Sequence, residues 1–229
     1  MSITMNALNR KALGKLGSFL PVLAGAVFLA AWTVDYWQAW IFLAIFGGSS
    51  LAITAYLMEH DPKLLERRVY AGPRSEKQTR QQIIQAIAFV SFFAILLFPA
   101  FDHRFGWSAV PSYIALAGDA LVAFGFLIVF FVFKENTFAS ATIEVDTGQK
   151  VVSTGPYSVV RHPMYSGALI MLVGVPIALG SWWGLLMVIP ITIVIIWRLL
   201  EEEKFLAESL PGYSEYRNKV RYRLAPLIW

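Results

Sequence analysis

The chain contains no cysteine. Disulfides, thiolate nucleophiles, iron–sulfur clusters and cysteine–zinc sites are excluded together. Histidine is scarce: His60, His103 and His162 lie far apart, without HxxxH or HExxH spacing. Ligand supply therefore argues against a metal site. Charge is thin too, at 15% of 229 residues, where a soluble domain carries roughly 25%. Neither GxGxxG nor a Walker loop is found, so the two common phosphate-cradling devices are missing. The sequence also lacks internal repeats and low-complexity segments.

What is present is apolar. Hydrophobic residues make up 57% of the chain, and mean hydropathy is +0.59. Such a composition excludes disorder and points to membrane spans. Crossing about 30 Å of hydrocarbon takes roughly 17–25 apolar residues. Six runs qualify, near 16–34, 37–58, 83–101, 113–133, 165–180 and 182–200. Met164 to Trp197 is free of charge but too long for one span, so Gly180-Ser181 is read as the turn of a helical hairpin. Asp35-Tyr36 separates the first two spans in the same way. The first span has a basic flank of Arg10, Lys11 and Lys15. It is longer than a signal-peptide core and is read as retained.

Loop charge supports this count. Of 19 Lys and Arg residues, 18 fall on alternate inter-span segments and one, Arg104, on the others. The positive-inside rule then puts both termini on the cytoplasmic side. The net charge of +4 reports loop sidedness rather than nucleic-acid binding. Trp32, Trp37, Trp40, Trp107, Trp182 and Trp183 fall near the outer span ends, as an aromatic belt does. Asp119 lies within the fourth span near its outer end and is expected to be paired or at the outer interface.

Polar chemistry collects on the inner side. The 59–82 loop reads as an amphipathic segment, a Gly72-Pro73 turn and a basic stretch, suited to anchoring on anionic lipid. The 134–164 segment ends in GPYSVVRHPMYSG. Gly155-Pro156 is a turn, and Pro163 suits the first turn of a helix. Tyr157, His162 and Tyr165 are spaced to converge on one pocket, although Arg161, His162 and the tyrosines also suit a span anchor. At the end of the last span, Arg198 and Glu202 share a helix face. The order Arg before Glu is the weaker one for an ion pair. Three consecutive carboxylates, Glu201 to Glu203, are costly at the hydrocarbon boundary without a cationic partner or a wet cavity. In the tail, Tyr213, Tyr216 and Val220 sit at helical spacing among basic residues, as in an amphipathic helix on the membrane surface.

GPYSVVRHPMYSG at 155–167, RLLEEEKFL at 198–206 and GYSEYRNKVRYRLAP at 212–226, with ENTF at 135–138 and QKVVSTG at 149–155, occur in this order. Together they resemble the isoprenylcysteine carboxyl methyltransferase family and its phospholipid methyltransferase relatives. The resemblance covers residues 135–229; the first three spans carry no motif. It implies an integral membrane methyltransferase using S-adenosyl-L-methionine, without a Rossmann domain. By the same resemblance, Tyr157, His162 and Tyr165 line the cofactor site, and the backbone around Gln149, Val151 and Val152 encloses the adenosine end. Glu202 holds the cofactor's amino group and Arg198, the catalytic candidate, faces the acceptor. Gln149 stands where eukaryotic members have histidine.

The expected architecture is all-α: a polytopic membrane protein with about six transmembrane helices and an amphipathic C-terminal helix. Residues 1–134 form an N-terminal four-helix region, and 135–229 a methyltransferase core with a helical hairpin and tail. The expected activity is methylation of a lipophilic or prenylated acceptor, most like isoprenylcysteine carboxyl O-methylation. A phospholipid amine or a thiol is the alternative acceptor. An isoprenoid or sterol-type reductase and a non-enzymatic membrane protein stand as other classes. Membrane lipids are expected partners, and the cytoplasmic membrane is the expected location.

Overall fold

The structure, a computed structural model, describes residues 2–70, 79–140, 145 and 148–229. Among them every regular element is helical: α1 (Ser2–Ala31), α2 (Trp37–His60), α3 (Pro62–Tyr70), α4 (Thr79–Phe105), α5 (Ser112–Glu135), α6 (Pro163–Ala178), α7 (Val188–Ser209) and α8 (Tyr213–Lys219). Short 3-10 turns at Gly155–Ser158 and Trp183–Met187 precede α6 and α7. The all-α expectation is met. The Gly72-Pro73 turn lies outside the described residues.

Five helices are long and apolar enough to cross a membrane: α1 from Asn6, α2, α4, α5 and the stretch Trp183–Ser209 containing α7. The sixth expected span, α6, has only 16 residues. It rises about 24 Å, short of the roughly 30 Å of hydrocarbon. Its ends explain the length. Pro163 occupies the first turn, where a missing N–H costs nothing. At the other end Gly180 adopts a φ of +74°, a left-handed conformation that side chains resist. All six tryptophans assigned to the outer belt are exposed there.

Two pairs of glycines set how α5 and α6 meet. A methyl group at Gly125 would lie 2.6 Å from the Gly167 oxygen, and one at Gly174 would lie 2.7 Å from the Gly118 oxygen. Only hydrogen fits at these crossings, so the backbones touch, as in small-residue membrane interfaces. The pairing also fixes register. With Gly125 opposite Gly167, Pro163 falls level with Val129. The last six residues of α5 therefore run on past the start of α6 by about 9 Å. That overhang leaves room beneath the N-terminus of α6.

The helix ends expected on the outer side are stapled by buried polar contacts. Tyr36, in the α1–α2 turn, donates to the Leu179 carbonyl oxygen. Asp102 is 1% exposed and accepts from Ser108 N at 2.7 Å, from Ser108 Oγ at 2.6 Å and from Ser181 Oγ. Ser181 Oγ in turn accepts from Gly184 N at 2.8 Å. The loop after α4 and the α6–α7 turn thus share one carboxylate. Asp119, expected to be paired or at the outer interface, is buried in α5, and neither carboxylate oxygen has a hydrogen-bond partner among the described residues.

Two amphipathic segments expected on lipid pack on protein instead. In α3, Leu64, Leu65 and Val69 are buried against Leu57, Val132, Phe133 and Ala139. In the tail, Tyr213, Tyr216 and Val220 are buried with Leu210 against Val151, Tyr157 and Leu206. Helical periodicity reveals an apolar face but not whether lipid or protein covers it.

Candidate active site

A cavity opens beneath the N-terminus of α6. Its walls come from the α5–α6 connection, the first turn of α6, the inner end of α7, and α8. Its solvent-accessible volume is about 120 Å³. All eight residues singled out from sequence line it. Gln149, Val151, Val152 and Tyr157 come from the connection, His162 and Tyr165 from the start of α6, and Arg198 and Glu202 from α7.

Tyr165 is the hinge of the polar wall. Its hydroxyl donates to Glu202 Oε2 at 2.6 Å and accepts from Arg198 Nε at 3.1 Å. Arg198 Nη1 also donates to Gln81 Oε1, at 3.1 Å, on α4. The helix face shared by Arg198 and Glu202 is thus read by one phenol from α6. Gln81 is almost fully buried and comes from a span with no motif, so sequence reasoning passes over it.

The adjacent carboxylate has another task. Glu203 is 4% exposed. Its Oε1 lies 2.8 Å from Arg161 Nε and 3.3 Å from His162 Nε2, and its Oε2 is 3.0 Å from Arg223 Nε. Here the cationic partners demanded by the carboxylate run are supplied by the protein. His162 lines the cavity, but this ring nitrogen turns to Glu203. The backbone behind it is held by the tail, with Arg161 N donating to Tyr222 O at 2.9 Å and His162 N to Arg223 O at 3.0 Å. The N–H groups ahead of Pro163 are satisfied in this way. Neither Arg161 nor Arg223 can be joined to Glu203 from sequence, because the tail contact is long-range.

The remaining wall is aromatic and aliphatic. Tyr157 accepts from Asn136 Nδ2 at 2.9 Å, and its own carbonyl accepts from the Tyr216 hydroxyl at 2.7 Å. Burial pushes the Tyr157 hydroxyl up to about 12, the Glu202 charge adds to this, and the Asn136 contact opposes it. It stays a neutral phenol at physiological pH. Burial raises Tyr213 and Tyr216 as well. Tyr213 lines the cavity, and its buried hydroxyl has no hydrogen-bond partner among the described residues. A buried hydroxyl without a partner is costly unless a ligand supplies one. Tyr213 is a site residue that its helical spacing alone assigns to the membrane surface.

Residues 113–211 match the family model described as phospholipid methyltransferase. This family includes the isoprenylcysteine carboxyl methyltransferases, so the resemblance seen in the motifs is found again over the matched segment. The match extends upstream of the motifs through α5, the helix locked to α6 by glycine. It takes in α6, α7 and most of the cavity wall. No curated protein matches the chain significantly. The long apolar helices support a multi-pass membrane protein, and its matched segment is similar to a methyltransferase family.

Proposed function

We propose that this protein methylates a lipophilic acceptor with S-adenosyl-L-methionine bound in the cavity beneath α6. The observation carrying the proposal is one cavity holding a carboxylate, an unpartnered buried phenol and an apolar wall, with all of its lining except Tyr213 and Tyr216 inside the family-matched segment. These groups suit the cofactor. Glu202 would hold its ammonium group, and Tyr157, Val151, Val152 and Tyr213 would enclose the adenosine end. The cofactor supplies an electrophilic methyl group on a sulfonium. The protein's share is alignment and exclusion of water, the main sources of rate in such a displacement.

The acceptor is a carboxylate in our first reading, of the isoprenylcysteine kind. A carboxylate is already a nucleophile and needs no base. Arg198 would orient it through parallel hydrogen bonds, a task its planar fork suits. A phospholipid amine is the second reading, favoured by the description of the matched family. An amine must be neutral to react, and Arg198 then has less to do. The site would face the cytoplasm, which the distribution of basic residues supports. The acceptor and its lipid neighbours would reach it from the bilayer.

The test is calorimetry on detergent-purified protein with S-adenosylhomocysteine and, separately, NADPH. Binding of the first alone is expected. Binding of NADPH alone moves the assignment to a reductase. Labelled-methyl transfer into prenylcysteine analogues and fractionated membrane lipids then separates the two acceptors. A reporter fused after Trp229 tests sidedness, and activity of an export-dependent reporter there overturns it.

A further inference from the structure

The segment from Asn136 to Ser140 forms one lip of the cavity, to which Asn136, Phe138, Ala139 and Ser140 contribute. It follows α5 directly and belongs to no regular element. Its internal bonds are few: Phe138 N donates to Asn136 Oδ1 at 2.9 Å, Ala139 N to Asn136 O at 3.1 Å and Ser140 N to Phe138 O at 2.7 Å. The carbonyls of Thr137 and Ala139 still need partners. Both partners come from α3, some 70 residues upstream. Arg67 Nη1 donates to Thr137 O at 2.6 Å, and Arg68 Nη1 donates to Ala139 O at 3.2 Å. The same guanidinium groups lie over aromatic rings, Arg67 4.9 Å from the Phe138 centroid and Arg68 4.5 Å from that of Phe133. Arg67 therefore grips the segment twice, through a charged hydrogen bond and a cation–π contact, while Arg68 grips it once and rests on Phe133 at the end of α5.

The grip is itself held. The apolar face of α3 is buried against the base of α5. At its C-terminal end, Lys15 of α1 donates to the Val69 carbonyl oxygen, a favourable place for a cation. Lys11 lies 3.7 Å from the Tyr70 ring centroid. A line of contacts thus runs from α1 through α3 to the cavity lip, then through Asn136 Nδ2 to the Tyr157 hydroxyl inside it.

We infer that Arg67 and Arg68 are positioning residues for ligand binding, clamping the 136–140 lip of the cavity in its closed-in shape. The inference rests on the cofactor reading of the cavity. It gives the N-terminal half of the chain a part in binding, with no residue of α3 touching the ligand.

The experiment uses the full-length protein in detergent, with Arg67→Gln, Arg68→Gln and the conservative Arg67→Lys. S-adenosylhomocysteine affinity is measured by calorimetry per folded molecule, beside thermal unfolding. Arg67→Gln should weaken affinity on the order of ten-fold, the scale of one lost hydrogen bond to a charged group. Arg67→Lys keeps a donor for Thr137 O, so it should recover much of that loss. Unchanged affinity in folded Arg67→Gln and Arg68→Gln, with or without a lower unfolding temperature, would overturn the clamp. If Arg→Gln variants fail to fold, Phe138→Leu decides, because it removes the Arg67 ring contact and leaves the bond to Thr137 O; wild-type affinity in it overturns the proposal. Should the wild-type protein itself not bind S-adenosylhomocysteine, the cofactor reading fails first, and the two failures are told apart.

Discussion

Glu202 and Glu203 are neighbours in sequence, yet the first faces the cavity and the second is buried among cations. One helical step of about 100° separates the two directions. Glu202 meets the Tyr165 hydroxyl and open space; Glu203 meets Arg161, His162 and Arg223. Adjacent carboxylates therefore divide the work between ligand and fold, and variants should separate the two tasks.

Glu202→Gln should weaken S-adenosylhomocysteine binding while thermal unfolding changes little. Loss of one charge-assisted hydrogen bond is worth about 1.5–3 kcal/mol, or roughly 10- to 150-fold in affinity. Calorimetry on the folded variant measures it, and wild-type affinity would remove Glu202 from the binding site.

Glu203→Gln should do the reverse. Removing one member of a buried charge cluster strands its partners, at about 3–5 kcal/mol. The unfolding temperature should drop clearly, and the protein that remains folded should keep cofactor affinity closer to wild type. Unaltered unfolding would mean that Arg161, His162 and Arg223 find other partners at no cost.

Arg198→Lys tests the acceptor. The guanidinium reaches Tyr165 and Gln81 at once from one plane, which an ammonium cannot reproduce. With a carboxylate acceptor, turnover should fall about ten-fold or more, with cofactor affinity nearly intact. Near-normal turnover would sink the carboxylate-orienting role and favour the amine.

Gly125→Ala should destabilise the protein, because its methyl group would meet the Gly167 oxygen and the Met171 backbone and Cβ. Overpacking of this kind costs about 1–3 kcal/mol. Gly48→Ala in α2 is the control, since nothing lies within 4 Å of its added methyl. There the gain in helix propensity should leave stability equal or slightly higher. Equal unfolding temperatures for both would show that α5 and α6 separate without penalty.

The spans were legible because a hydrophobic run is local, and so is the charge that flanks it. The polar lining was legible for a related reason. Tyr157, His162 and Tyr165 lie within nine residues, and Arg198 and Glu202 within one turn. What escaped sequence reading depends on distant partners. Arg223 reaches Glu203 from the tail, Gln81 reaches Arg198 from α4, and Arg67 reaches Thr137 from α3. The burial of α3 and α8 escaped for another reason. An apolar stripe is the same stripe whether acyl chains or Phe133 and Tyr157 cover it. Gly118, Gly125, Gly167 and Gly174 carried a usable signal, a spacing of two turns on both helices, but only pairing them across 42 or more residues makes it readable.

The short α6 has a consequence for geography. Because α5 outruns it by about two turns, the roof of the cavity is recessed behind the end of α5. On the proposed function, a water-soluble cofactor would rise into that recess from the aqueous side. An acceptor tethered by its hydrocarbon tail would need little lifting, since the recess would bring the reacting groups down toward the depth at which a lipid floats. On this view the missing turns of one helix are a dry dock, where two molecules that share no solvent can meet.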